Sequence, residues 1–103
     1  MNIGNAIKQV RLHFELSQVE LSERTGISQT SISQIESGAK NPSKRTLRKI
    51  CASLEIPESL LYVLGMDETD FPAARKQAFQ ELYPAIKDFT IQVIGKRKST
   101  LLH

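Results

Sequence analysis

The stretch from Leu16 to Pro42, LSQVELSERTGISQTSISQIESGAKNP, constrains the fold of this chain more than any other part of its sequence. It reads as two short amphipathic helices joined by a tight turn at Gly26, the second closed by Gly38. Ser17 is placed to cap the first, and Glu20 three residues later completes a capping box. That helix buries Val19 or Leu21 and stops at Gly26, the residue type best suited to a left-handed turn. Ser28, following the apolar Ile27, caps the second helix. With Ile32 and Ile35 turned inward, that helix shows solvent Gln29, Thr30, Ser33, Gln34 and Ser37.

The flanking segments supply three more helices. Ile3, Ile7 and Val10 recur at helical spacing in a first helix from about Asn2 to His13, with Lys8 and Gln9 facing out. Asn41-Pro42-Ser43 reads as a loop and cap, followed by a helix over Lys44–Leu54 with Leu47, Ile50, Cys51 and Leu54 inward. Pro57 fits the first position of a fifth helix, where its missing N–H is harmless. Leu60, Leu61 and Leu64 give that helix its apolar stripe. The prediction is all-α: a five-helix bundle over residues 1–65, with a C-terminal helical appendage over residues 66–103.

In the appendage, Met66–Asp70 is acidic and reads as a linker, and a helical region starts near Phe71-Pro72. Phe79, Leu82, Ile86, Phe89 and Val93 follow a 3-4-3-4 spacing, a seam about two heptads long, with Lys76, Gln80, Lys87 and Asp88 off it. Pro84 leaves two forms open, a kinked helix or two helices meeting at Tyr83. The seam either folds back onto the chain's own core or serves as a dimerisation element. Lys96-Arg97-Lys98 reads as a solvated end.

The spacing and capping of the central segment resemble the helix-turn-helix of phage repressors and Cro proteins, the XRE-type family, over roughly residues 3–64. The resemblance implies a repressor-like DNA-binding bundle whose third helix lies in the major groove. On that reading Gln29 and Gln34 hold the usual base-contacting positions, with Thr30, Ser33 and Ser37 beside them. A glutamine can pair bidentately with adenine, and a Thr methyl packs on thymine. No Arg or Lys stands on this face, so A/T-containing half-sites are expected. Phosphate contacts fall to Gln18, Ser28, Lys40, Asn41, Ser43 and Lys44. Gln18 would work beside the amides and dipole at the start of its helix. Arg11 and Glu36 stand where relatives carry a partly buried ion pair. Relatives also place glycines after the first and fourth helices, where this chain has Glu15 and Glu55. Either those helices end differently here, or the domain tolerates some strain.

Charge and composition agree with a polyanionic partner without requiring one. The net charge is +3, and Lys40, Lys44, Arg45, Arg48 and Lys49 crowd the segment just after the helix-turn-helix. With 103 residues and 40% of them hydrophobic, one small core is available, and a sizeable enzyme pocket would compete with it. No metal or other cofactor is expected: His13 and His103 lack carboxylate or Cys neighbours at ligand spacing. No nucleophile elbow or phosphate loop is present, so the chain reads as no enzyme. A lone Cys51, no membrane-length apolar run and no signal-like N-terminus point to the cytoplasm. The expected function is a sequence-specific DNA-binding transcriptional regulator, a repressor acting as a homodimer on an inverted repeat. An antitoxin-like autoregulator, whose C-terminal region binds a partner protein, is the alternative.

Overall fold

The computed structural model describes residues 1–95, and these hold six α-helices and two 3₁₀ turns. They are α1 (Ile3–His13), α2 (Gln18–Thr25), α3 (Gln29–Ser37), α4 (Lys44–Leu54), α5 (Glu58–Gly65) and α6 (Lys76–Ile94), with 3₁₀ turns at Glu68–Asp70 and Ala73–Arg75. Helix α1 packs on α5 and α3, α2 packs on α3 and α4, and α4 packs on α5. Ile7, Val10, Phe14, Leu21, Ile32, Ile35, Ile50, Leu54 and Leu61 form the centre of the core they enclose. His103 and the basic Lys96-Arg97-Lys98 end lie outside the described residues.

Caps set the helix boundaries. Ser17 and Glu20 form the reciprocal capping box of α2. Ser28 and Ser43 each accept from a backbone N–H three residues on, at the starts of α3 and α4. Gly26 takes φ 75°, and its N–H returns to the Ser22 carbonyl at 2.8 Å, so α2 stops where α3 must turn away. Of the two candidates in α2, Leu21 is buried and Val19 is exposed. Pro57 is the N-cap of α5 and not its first helical residue, because its ψ of 145° is still extended. Leu61 and Leu64 carry the α5 stripe, with Leu60 half-buried.

Glu15 and Glu55 both adopt left-handed backbone, with φ of 59° and 56°. Each sits in the same hydrogen-bonded turn. Glu15 N–H donates to Leu12 O and Leu16 N–H to Arg11 O; Glu55 N–H donates to Ala52 O and Ile56 N–H to Cys51 O. This is the Schellman closure that usually employs glycine. Here the residues on either side are buried, Phe14 and Leu16 in one turn and Leu54 and Ile56 in the other. Burying two apolar side chains about a single reversal offsets a left-handed penalty of about 1–2 kcal/mol.

The segment after α5 is structured. Asp67 and Asp70 form a reciprocal cap around the first 3₁₀ turn, and both carboxylates lie 3.0 Å from the Met1 amino group. Helix α6 runs through Pro84 as one element, which settles that alternative. Pro84 and Gln80 are exposed, so water can serve the Gln80 carbonyl that the proline leaves without a donor.

α6 does fold back on the domain, but with a different face from the seam. Tyr83 Oη donates to the Val63 carbonyl at 2.8 Å, Ile91 and Ile94 pack on the core, and Thr90 is buried with its hydroxyl on Ile86 O. His13 Nε2 donates to the Gly95 carbonyl at 2.9 Å. The seam points away: Leu82, Ile86, Phe89 and Val93 are 62%, 47%, 67% and 53% exposed. Phe79 alone is half-buried, stacked between Phe71 and Tyr83.

Candidate nucleic-acid interface

Three contacts fix α3 to the bundle. Ile32 and Ile35 insert into the core. Gly4 of α1 lies so close behind α3 that a Cβ there would stand 2.0 Å from the Ile35 carbonyl oxygen. The third is polar. Arg11 grips Glu36 with two parallel bonds, Nε to Oε2 at 2.7 Å and Nη2 to Oε1 at 2.8 Å. Its remaining nitrogen, Nη1, donates to the Leu16 carbonyl at 2.7 Å. Only 8% of the arginine side chain and 3% of the glutamate side chain is exposed. A bidentate, charge-assisted pair in so little water has strong directional force. It ties α1, the turn before α2, and α3 into one body.

Gln18 belongs to this network. Its Nε2 donates to Glu36 Oε1 at 3.1 Å, so the phosphate candidate is also a strut between α2 and α3. An amide nitrogen carries two hydrogens, and the Glu36 bond occupies one.

With its inner side held, α3 presents an open polar face. Gln29, Thr30, Ser33 and Gln34 are all exposed and line one shallow groove. Ser37 is exposed too, but its hydroxyl hydrogen goes to the Gln34 carbonyl at 3.1 Å, leaving it acceptor capacity only. Lys40, Asn41, Ser43 and Lys44 follow the α3 terminus in the exposed loop and the first turn of α4. Lys40 Nζ lies 3.4 Å from Ser31 Oγ, which holds its ammonium beside α3. Ser43 is committed to its cap, since its hydroxyl also donates to Thr46 Oγ1. Ser28 Oγ accepts from Ser31 N–H, so its own hydrogen is the part it can offer a phosphate. Arg45, Arg48 and Lys49 are exposed along α4.

Two contributions were not singled out from sequence. Gly4 sits inside a helix, where glycine costs about 1 kcal/mol relative to alanine, and that cost was the available signal of a close approach. The Leu16 carbonyl, third partner of Arg11, is a backbone group with no signature in sequence. Cys51 is a core residue: burial first, then Glu58, pushes its thiol up to about 11. Among the described residues no group of three or more His, Cys, Asp or Glu could hold a metal ion. No helix of the described residues is long and apolar enough to cross a membrane.

A short helix-turn-helix on a small helical bundle, its second helix braced from behind and polar in front, defines the class as a repressor-like DNA-binding fold. The family model described as "Helix-turn-helix" matches residues 7–61, and the chain belongs to this XRE-type helix-turn-helix family. It is 30% identical over 97 residues to an HTH-type transcriptional regulatory protein of Methanococcus vannielii, covering 88% of this chain and 28% of that protein. It is 34% identical over 61 residues to the immunity repressor protein of Bacillus phage phi105, covering 59% of this chain and 42% of the repressor. It is also 40% identical over 58 residues to antitoxin HipB of Escherichia coli O6:H1, covering 56% of this chain and 62% of that one. The chain thus spans less than two thirds of the length of these relatives. No solved structure matches it.

Proposed function

We propose that this chain is a transcriptional regulator, a repressor, that binds double-stranded DNA sequence-specifically in the cytoplasm as a homodimer on an inverted repeat. The observation that carries this reading is the α3 face: Gln29, Thr30, Ser33 and Gln34 stand exposed on a helix fixed from behind by Arg11–Glu36 and Gly4. Such rigidity lets short amide and hydroxyl side chains meet base edges in a defined register. The basic loop and α4 after it supply the charge for phosphates. Selection of bound sequences from random duplex DNA tests it, and the expected product is a two-fold repeat with A/T pairs in each half-site. Recovery of no preferred sequence would sink the reading.

Two consequences follow for single residues. Gln29→Ala or Gln34→Ala should weaken binding to the selected site by about 1–3 kcal/mol. Binding to unrelated DNA and the melting temperature should stay put, and titrations on both duplexes check this. If sequence preference survives both changes, α3 does not read bases through them. Lys40→Ala and Lys44→Ala should instead weaken binding to every sequence alike. Each should lower the slope of log K against log salt by about one. An unchanged slope for both would place those ammonium groups away from DNA.

The likeness to antitoxin HipB supports a second reading, in which the exposed α6 face binds a partner protein while the domain regulates its own expression. A chain that stays monomeric alone yet binds its DNA site tightly with a partner would favour it.

A further inference from the structure

The outer face of α6 is recessed at one end and carries a large exposed aromatic side chain at the other. Near its N-terminal half lies a largely apolar cavity of about 220 Å³, walled chiefly by Phe71, Phe79, Leu82, Tyr83 and Ile86, with the exposed Arg75 also in its lining. Near its C-terminal half Phe89 and Val93 are exposed, Phe89 being the most exposed large apolar side chain among the described residues. Between these ends, Ala78, Leu82, Ala85 and Ile86 continue the face with small or apolar side chains and no charge. A surface of this kind fits a second copy of itself in one orientation. A closed two-fold interface is self-complementary, so the exposed aromatic end of each protomer must meet the recessed end of the other.

We propose that α6 pairs with α6 of a second copy in antiparallel fashion about Ile86, with Phe89 of each protomer seated in the cavity of its partner. This rests on the homodimer reading above and adds the orientation, the register and the anchor. The register follows from helix geometry. Phe89 lies about 4.5 Å along the axis from Ile86, at 1.5 Å per residue. A two-fold axis through Ile86 therefore sets it opposite Leu82 and Tyr83, the walls of the cavity. A parallel pairing would stack Phe89 on its own copy and leave both cavities without an occupant. Seam spacing favours a helix as the occupant, because alternating three- and four-residue steps present a straight stripe to another helix. Ala78 and Ala85, both exposed beside the seam, let the two helices approach closely.

Oxidative cross-linking of full-chain variants that each gain one surface cysteine tests the arrangement, with sedimentation velocity run on the same samples. Cys51 is buried, and the unmodified chain serves as the control for its silence. Ile86→Cys should cross-link to itself, and Val93→Cys should not, because antiparallel pairing sets the two copies of position 93 about 21 Å apart along the axis. A mixture of the Ala78→Cys and Val93→Cys chains should cross-link to each other. Phe89→Ala should raise the dimer dissociation constant at least about ten-fold, as loss of a central aromatic anchor does, with the melting of the protomer little changed. A dimer in which Val93→Cys cross-links to itself as readily as Ile86→Cys is parallel and overturns this inference alone. A dimer that neither links through Ile86→Cys nor weakens with Phe89→Ala overturns it as well. A chain monomeric at micromolar concentration overturns the homodimer reading along with it.

Discussion

Arg11→Ala should destabilise the domain by about 3–5 kcal/mol, the cost of leaving a buried charge without its partner. Glu36 would keep its Gln18 bond but lose both bonds from the guanidinium, and the Leu16 carbonyl would lose its donor as well. Domains of this size have about 5–15 kcal/mol to lose, so the change would remove a large fraction of the folding stability. The melting temperature should fall by more than about 10 °C. Glu36→Ala should do the same, since it strands the arginine. The double change to Arg11→Met with Glu36→Leu should be milder than either, because an apolar pair of similar volume strands no charge. DNA affinity should fall in proportion to folded protein and no further for Arg11→Ala at low temperature, because Ile32, Ile35 and the Gly4 contact still hold α3 in the folded molecules. Equal melting temperatures for the unmodified chain and Arg11→Ala would show that the pair contributes nothing net.

The parts of this fold that were legible in the sequence are those in which one residue type answers one local need. Ser17 with Glu20, Ser28, Ser43, Gly26 and Gly38 mark helix ends because an orphan amide needs an acceptor and a left-handed turn favours glycine. Glu15 and Glu55 were ambiguous for the same reason: the residue type opposes the conformation. What decides there is the burial of both flanking side chains, a tertiary term that no local rule contains. α6 was ambiguous in another way. It carries two stripes, and the heptad pattern advertises the one that faces water. The stripe that packs on the domain includes Tyr83 and Thr90, whose hydroxyls find backbone carbonyls and so can face inward. Apolar periodicity alone cannot find such a face, because its polar atoms are satisfied by geometry that sequence does not display. On α3 the outward residues were legible, since two inward isoleucines set the phase of the helix.

Ile86→Glu or Phe89→Glu should convert the protein to a monomer while leaving its fold intact. On the free protomer Phe89 is 67% and Ile86 47% exposed and neither belongs to the core, so a carboxylate at either place reaches water. At a two-fold seam the same carboxylate meets its own copy or an apolar wall, and pairing fails. The consequence for DNA is much larger than the consequence for stability. One helix-turn-helix covers one half-site, and joining two through an interface turns the second contact into an intramolecular one. That gain is about 10²–10⁴ in affinity, so operator binding should fall by a comparable factor, with the melting temperature within a few degrees of the original. The inner face of α6 supplies the contrast: Ile91→Glu drives a charge against the core and should lower stability first. On helix α5 Leu61 and Leu64 are buried among the core residues, but Tyr62 is exposed and Leu60 and Val63 are half-buried, so α5 is the surface left for a dimer that does not use α6. A dimer that survives both charged substitutions, measured by sedimentation alongside operator titration, would remove α6 from the interface.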